Sequence, residues 1–180
     1  IGNFKYSSKK TYNSLKHFLY GKNNFDKKIY IDIKHENFQK LAFNVQQANE
    51  ISVLQDSHKE YVSANIQYQN KNFKAKVKLK GEENDHRKDG FWSLRIKITD
   101  DSFPFGIKEF SIQKPYTRNF LYEWFVSEIM KGEDILTTRY DFMEVVINGK
   151  GKGIYAIEEH FDKILLEFNR RQEGPILKYD

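Results

Sequence analysis

The sequence predicts an α+β fold, a mostly antiparallel sheet with one prominent packed helix. Three observations predict it. Several segments alternate apolar and polar residues with a period of two, as half-buried strands do. Asn148-Gly149 lies between two such segments, and this dipeptide tolerates the positive φ angles of a tight hairpin turn. Between Arg118 and Lys131, apolar residues recur at helical spacing, and Gly132 follows as a stop. A chain of 180 residues fits one domain, read as spanning 1–180, and is long enough to bury a core without disulfides or a structural metal.

In chain order, residues 8–20 read as a short helix with Leu15, Phe18 and Leu19 on one side. Residues 28–34 alternate as a strand, with Ile29, Ile31 and Ile33 against Tyr30 and Asp32. Residues 38–43 give a helical turn or two, and the polar stretch 44–60 has no assignment. Val62, Ala64, Ile66 and Tyr68 share one face of a strand over 61–69. Its mate, 73–80, sets Phe73, Ala75, Val77 and Leu79 against Lys74, Lys76, Lys78 and Lys80. One apolar and one wet face mark a sheet packed on one side. In 91–99, Trp92, Leu94, Ile96 and Ile98 oppose Ser93, Arg95 and Lys97. A short strand, 109–113, ends before Pro115. The hairpin spans 140–157, a helix is expected over 159–170, and a further strand opens at Ile176, after the Gly174-Pro175 break.

Composition narrows the chemistry. There is no Cys, which excludes disulfides and thiolate chemistry. Thirty Lys and Arg against 25 Asp and Glu give a net charge of +5, which permits an anionic partner without demanding one. Aromatic residues make up 16%, too many for a disordered chain. No apolar run approaches the roughly 20 residues of a membrane helix, so no membrane insertion is expected.

On a helical wheel, Leu121, Trp124, Phe125 and Ile129 form an apolar stripe with Glu128 near its middle. A carboxylate taken out of water costs several kcal/mol unless a cation meets it. Lys97, Arg95 and Lys78 on the strand faces are the candidate partners. A helix Glu that holds a strand Lys against phosphate oxygens is a device of protein-kinase nucleotide sites; a purely structural ion pair is the alternative. The inward apolar face of 91–99 sends Arg95 and Lys97 outward, so the pairing requires a sheet covered on both faces. The lysine row of 73–80 reads either as a solvated face or as a phosphate-facing wall. Trp92 lies on the other face, which disfavours base stacking and hence nucleic acid. The loop Gly81-Glu82-Glu83-Asn84-Asp85-His86 matches no phosphate-binding fingerprint. The five His are scattered without a ligand pair, so no metal site is assigned. Glu159 suits a helix N-terminus, where acids are stabilised.

The order of several motifs resembles the spore-coat CotH kinase-like family. They are Lys76-Val77-Lys78-Leu79-Lys80-Gly81, Asp85-His86, Trp92-Ser93-Leu94-Arg95-Ile96-Lys97, Phe105-Gly106, Phe110-Ser111-Ile112-Gln113, Arg118-Asn119 with Glu123-Trp124, Asn148-Gly149 with Gly153-Ile154-Tyr155, Glu158-Glu159-His160-Phe161 and Gly174-Pro175-Ile176. The resemblance runs from about Lys28 onward. It implies an atypical bacterial protein-kinase-like fold, binding of ATP with Mg2+, and phosphoryl transfer to Ser or Thr of a protein substrate. Against that fold the chain corresponds to the amino-terminal lobe, completed by the remainder of a parent chain. Lys97, or else Arg95, with Glu128 takes the Lys–Glu role, Lys78 lies beside them, and Glu158, Glu159 and His160 form a hinge against adenine. The metal-binding and catalytic acids of such folds follow the hinge, so these 180 residues alone are expected to be inactive. The resemblance also implies a spore-coat, cell-surface or extracytoplasmic setting. A non-catalytic binding or coat-assembly module is the alternative, and an anion or nucleic-acid binder the second.

Overall fold

The computed structural model describes residues 27–174 and 177. The expected helix over 8–20 and the strand opening at Ile176 lie outside them. Seven strands form a closed barrel: β1 (Lys28–Ile33), β2 (Val62–Tyr68), β3 (Lys71–Leu79), β4 (Leu94–Ile98), β5 (Glu109–Gln113), β6 (Tyr140–Ile147) and β7 (Lys150–Glu159). The order around the barrel is β1-β2-β3-β4-β5-β7-β6. All neighbours are antiparallel except β1 and β6, whose parallel pairing, Lys28 with Glu144 through Ile31 with Ile147, closes the ring.

This corrects the expected architecture. The sheet is not an open, kinase-like lobe with a helix packed across it; it wraps on itself and leaves no free edge. The alternating apolar residues face the barrel interior. Ile29, Ile31, Ile66, Val77, Leu94, Ile96, Ile98, Phe110, Ile112, Val145 and Tyr155 are fully buried in one cluster. The turn between β6 and β7 has φ of 48° at Asn148 and 74° at Gly149. The Asn148 side chain also accepts a hydrogen bond from the Ile33 amide at 2.7 Å, tying the turn to the end of β1.

Among the described residues, three α-helices accompany the barrel. α1 (His35–Glu50) extends well beyond the turn or two expected there. It buries only Leu41, Val45 and Ala48, and its Phe38 stacks on Trp92 with ring centroids 5.0 Å apart. α2 (Tyr122–Gly132) begins after a helical turn at Pro115–Arg118. Leu121 and Trp124 pack on Tyr140, Phe142 and Ala156, a small cluster on the outer barrel wall. α3 (Lys163–Phe168) is short and starts later than expected. Its N-cap is Asp162, whose Oδ1 accepts from the Leu165 amide at 3.1 Å. Glu159 therefore does not cap a helix; it ends β7.

Candidate functional site

Because interior and exterior positions alternate, the polar residues of β3, β4, β5 and β7 fall together on one outer wall. The register aligns them in rows across the strands. Lys78 stands opposite Arg95, Arg95 opposite Ser111, Ser111 opposite Glu158 and Glu158 opposite Tyr140. Beside this row, the Lys80 amide donates to the Ser93 carbonyl at 2.9 Å. Ser93, Ser111 and Gln113 are buried, and together they give the wall a polar floor.

Over this floor lies the most desolvated lysine contact on the wall. Lys80 Nζ donates to Glu158 Oε2 at 2.7 Å and to Gln113 Oε1 at 3.4 Å. Gln113 Nε2 in turn donates to Glu158 Oε2 at 3.4 Å. The Lys80 side chain keeps 18% of its exposure and Glu158 31%. Burial pulls the Lys80 ammonium below the usual lysine range; Glu158 opposes that shift, while Arg118 and Arg95 add to it. An ammonium has three donors. Among the described residues two acceptors meet it, Glu158 and Gln113, and the side chain keeps part of its exposure. Positive charge from Lys80, Arg95 and Arg118 therefore acts on a partly buried patch that already holds one carboxylate.

Two histidines border the patch. His86 is buried, with Nδ1 2.8 Å from Ser93 Oγ and Nε2 3.9 Å from Asp85 Oδ1. The ring lies so close to Gly81 that a Cβ there would stand 2.1 Å from it. His160 donates its amide to the Glu109 carbonyl at 2.9 Å. Burial depresses both imidazoles below the usual histidine range, and Arg118 beside His86 and Arg95 beside His160 depress them further. A depressed folded-state value means that the unfolded chain takes up protons first. The neutral rings thus stabilise the fold fully above the unfolded histidine value near 6.5, and that stability is lost as pH falls through the lower folded values. We expect the urea midpoint to drop between pH 7.5 and pH 5, and His86→Asn with His160→Asn to flatten that limb. An equally steep limb in the double variant would contradict the assignment.

The structure separates the sequence-predicted pair. Glu128 bonds Lys131 on its own helix at 2.7 Å and keeps 35% side-chain exposure. Lys97, half exposed, reaches Glu109 at 3.9 Å. Only the Leu121–Trp124 end of the apolar stripe meets the barrel; Phe125 and Ile129 are 56% and 50% exposed. Lys78 lies over the Tyr61 ring at 4.6 Å, and Arg95 approaches Glu109 at 3.7 Å. Glu158 joins the Lys80 patch, with Arg95 and His160 at its border. Glu159 points to the opposite side of β7 and binds Arg139, whose Nε donates to Oε2 at 2.8 Å.

Sequence reasoning assigned no partnership between Lys80 and Glu158, or between Arg139 and Glu159. The two lysine–acid partners are 78 residues apart, and only the strand register brings them together. Among the described residues, no group of three or more His, Asp or Glu is placed to hold a metal ion. Among them, too, no helix is long and apolar enough to cross a membrane. No protein-family model matches the chain, and no curated protein matches it.

Proposed function

We propose that the chain binds the phosphates of a nucleotide at the Lys80 patch, as the nucleotide-binding portion of a CotH-like phosphotransferase that acts on protein Ser or Thr. Function does not follow from a barrel, so the reading rests on the site. The observation that carries it is the desolvated Lys80 ammonium held by Glu158 and Gln113. Glu158 keeps the lysine charged and oriented, Gln113 fixes the carboxylate, and Arg118 and Arg95 add charge for further phosphate oxygens. The Lys–Glu device expected of Lys97 and Glu128 is thereby assigned to Lys80 and Glu158. Mg2+ would arrive with the nucleotide and neutralise phosphate charge; among the described residues no group of three or more His, Asp or Glu gathers to hold it, and no step is assigned to a metal held by this chain.

Thermal unfolding with and without Mg-ATP tests the proposal. Nucleotide at 100 times its Kd stabilises by about 2.7 kcal/mol. The wild-type chain should show that shift, Lys97→Met should keep it, and Lys80→Met should lose it. No shift in the wild-type chain, or an equal shift in the Lys80 variant, would overturn the assignment. Tripolyphosphate stabilising as well as Mg-ATP would instead indicate the second reading, an anion site without base recognition, which the same cluster of positive charge favours.

A further inference from the structure

The strand register exposes an arrangement that ordinary sheet energetics disfavours. Directly opposite residues on an antiparallel pair stand about 5 Å apart, and like charges there repel. On the outer faces of β3 and β4, Lys76 is paired with Lys97, and Lys78 with Arg95. Lys74 extends the row toward the far end of β3. The neighbouring face of β2 offers no acid: Lys74 is opposite Asn65 and Lys76 opposite Ser63. Glu109 on β5 serves both Arg95 and Lys97, at 3.7 and 3.9 Å. Asp32 on β1 is opposite Asn65, two strands from Lys74, which is about 10 Å and close to the screening length at physiological salt. Lys74 and Lys76 are exposed; the Asp100 carboxylate accepts from the Lys74 backbone amide at 2.7 Å, but neither lysine ammonium enters an ion pair among the described residues.

We propose that this face is a docking surface for an extended, acidic polypeptide segment. Its charges recur at every second residue of β3, a spacing of about 6.8 Å. An extended peptide with acids at alternate positions has the same repeat, so several carboxylates meet lysines at once. The face is less suited to nucleic acid, because the rings near it are already engaged. Trp92 stacks on Phe38, the exposed Tyr61 ring carries the Lys78 ammonium at 4.6 Å, and the apolar residues of β3 and β4 point into the barrel. The closed barrel offers no free edge to β3 or β4, so the peptide lies across side chains rather than adding a strand. Binding is therefore electrostatic and weakens with salt. The inference is independent of nucleotide binding at Lys80.

The test is fluorescence anisotropy with a labelled ten-residue peptide of alternating Glu and Ala, against a labelled oligo(dT) of matched charge. Lys74→Thr/Lys76→Thr removes charge while keeping residues suited to strands. The peptide should bind the wild-type chain more tightly than oligo(dT) does, and the double variant should bind it about 10-fold more weakly. The variant's Tm should rise by about 1–4 °C as the repulsion is relieved, which separates lost binding from lost folding. Unchanged peptide affinity in the variant, or tighter binding of oligo(dT), would overturn the proposal. Neither result bears on the Mg-ATP shift, which reads the Lys80 patch and not Lys74 or Lys76.

Discussion

Glu159→Ala is expected to destabilise the protein by about 3–5 kcal/mol, the typical cost of removing one partner from a buried ion pair. The Glu159 side chain keeps 1% of its exposure, and its carboxylate is clasped by Arg139 through Nε at 2.8 Å and through the backbone amide at 3.1 Å. The same guanidinium donates to the carbonyls of Phe105 at 3.2 Å and Gly106 at 2.9 Å, and the Phe168 ring lies 4.2 Å from it. One acid thus anchors a cation that ties the end of β7 to the loop before β5 and to α3. Without Glu159, Arg139 keeps its carbonyl partners but loses its counter-charge in a low-dielectric setting. Set against a total stability of about 5–15 kcal/mol, this is a severe loss. Glu167→Ala removes one member of an exposed pair with Lys163, four residues apart on one helix, and should cost no more than about 0.5 kcal/mol. Urea titrations of the two variants check the contrast. Equal losses, or a mild Glu159 variant, would contradict it.

Lys80→Met is expected to weaken nucleotide binding by about 30-fold to 1000-fold, corresponding to about 2–4 kcal/mol for a desolvated, charge-assisted contact. Methionine retains much of the apolar stem and removes the charge. Glu158, left beside Gln113, then repels phosphate rather than orienting its ligand. Glu158→Gln should weaken binding less, because the lysine keeps a hydrogen-bond acceptor while losing its counter-charge. Arg118→Ala should fall between wild type and Lys80→Met, since this exposed side chain acts on the patch without a direct bond to Lys80 or Glu158. Isothermal titration with Mg-ATP resolves the order, and an unaffected Lys80→Met variant would remove the basis of the assignment.

Much of the barrel was legible because its interior is lined by alternating aliphatic residues. Ile29, Ile31 and Ile33, or Val77 and Leu79, mark strands wherever they pack. Closure was not legible: it depends on β1 meeting β6 more than 100 residues later, in parallel, and no local pattern encodes that pairing. α1 was legible only in part: residues 38–43 read as a helical turn or two, while the continuation that buries Val45 and Ala48 was obscured by Asn44, Gln46, Gln47 and Asn49 around them. A helical wheel orders residues around α2 but does not say how far the barrel reaches across it. The contact stops at Leu121 and Trp124, so Glu128 stays at the wet margin. The Lys80 patch was half visible: Glu158 stood as a candidate site residue, but Lys80 was only one of a row of lysines, and their partnership is a property of the register.

A structure of the protein bound to a non-hydrolysable ATP analogue tests the central claim most directly. The account predicts a phosphate oxygen within hydrogen-bond distance of Lys80 Nζ, with Glu158 still holding the lysine from its other side. A phosphate seated against Lys97, or on any surface away from β3 and β7, would contradict it.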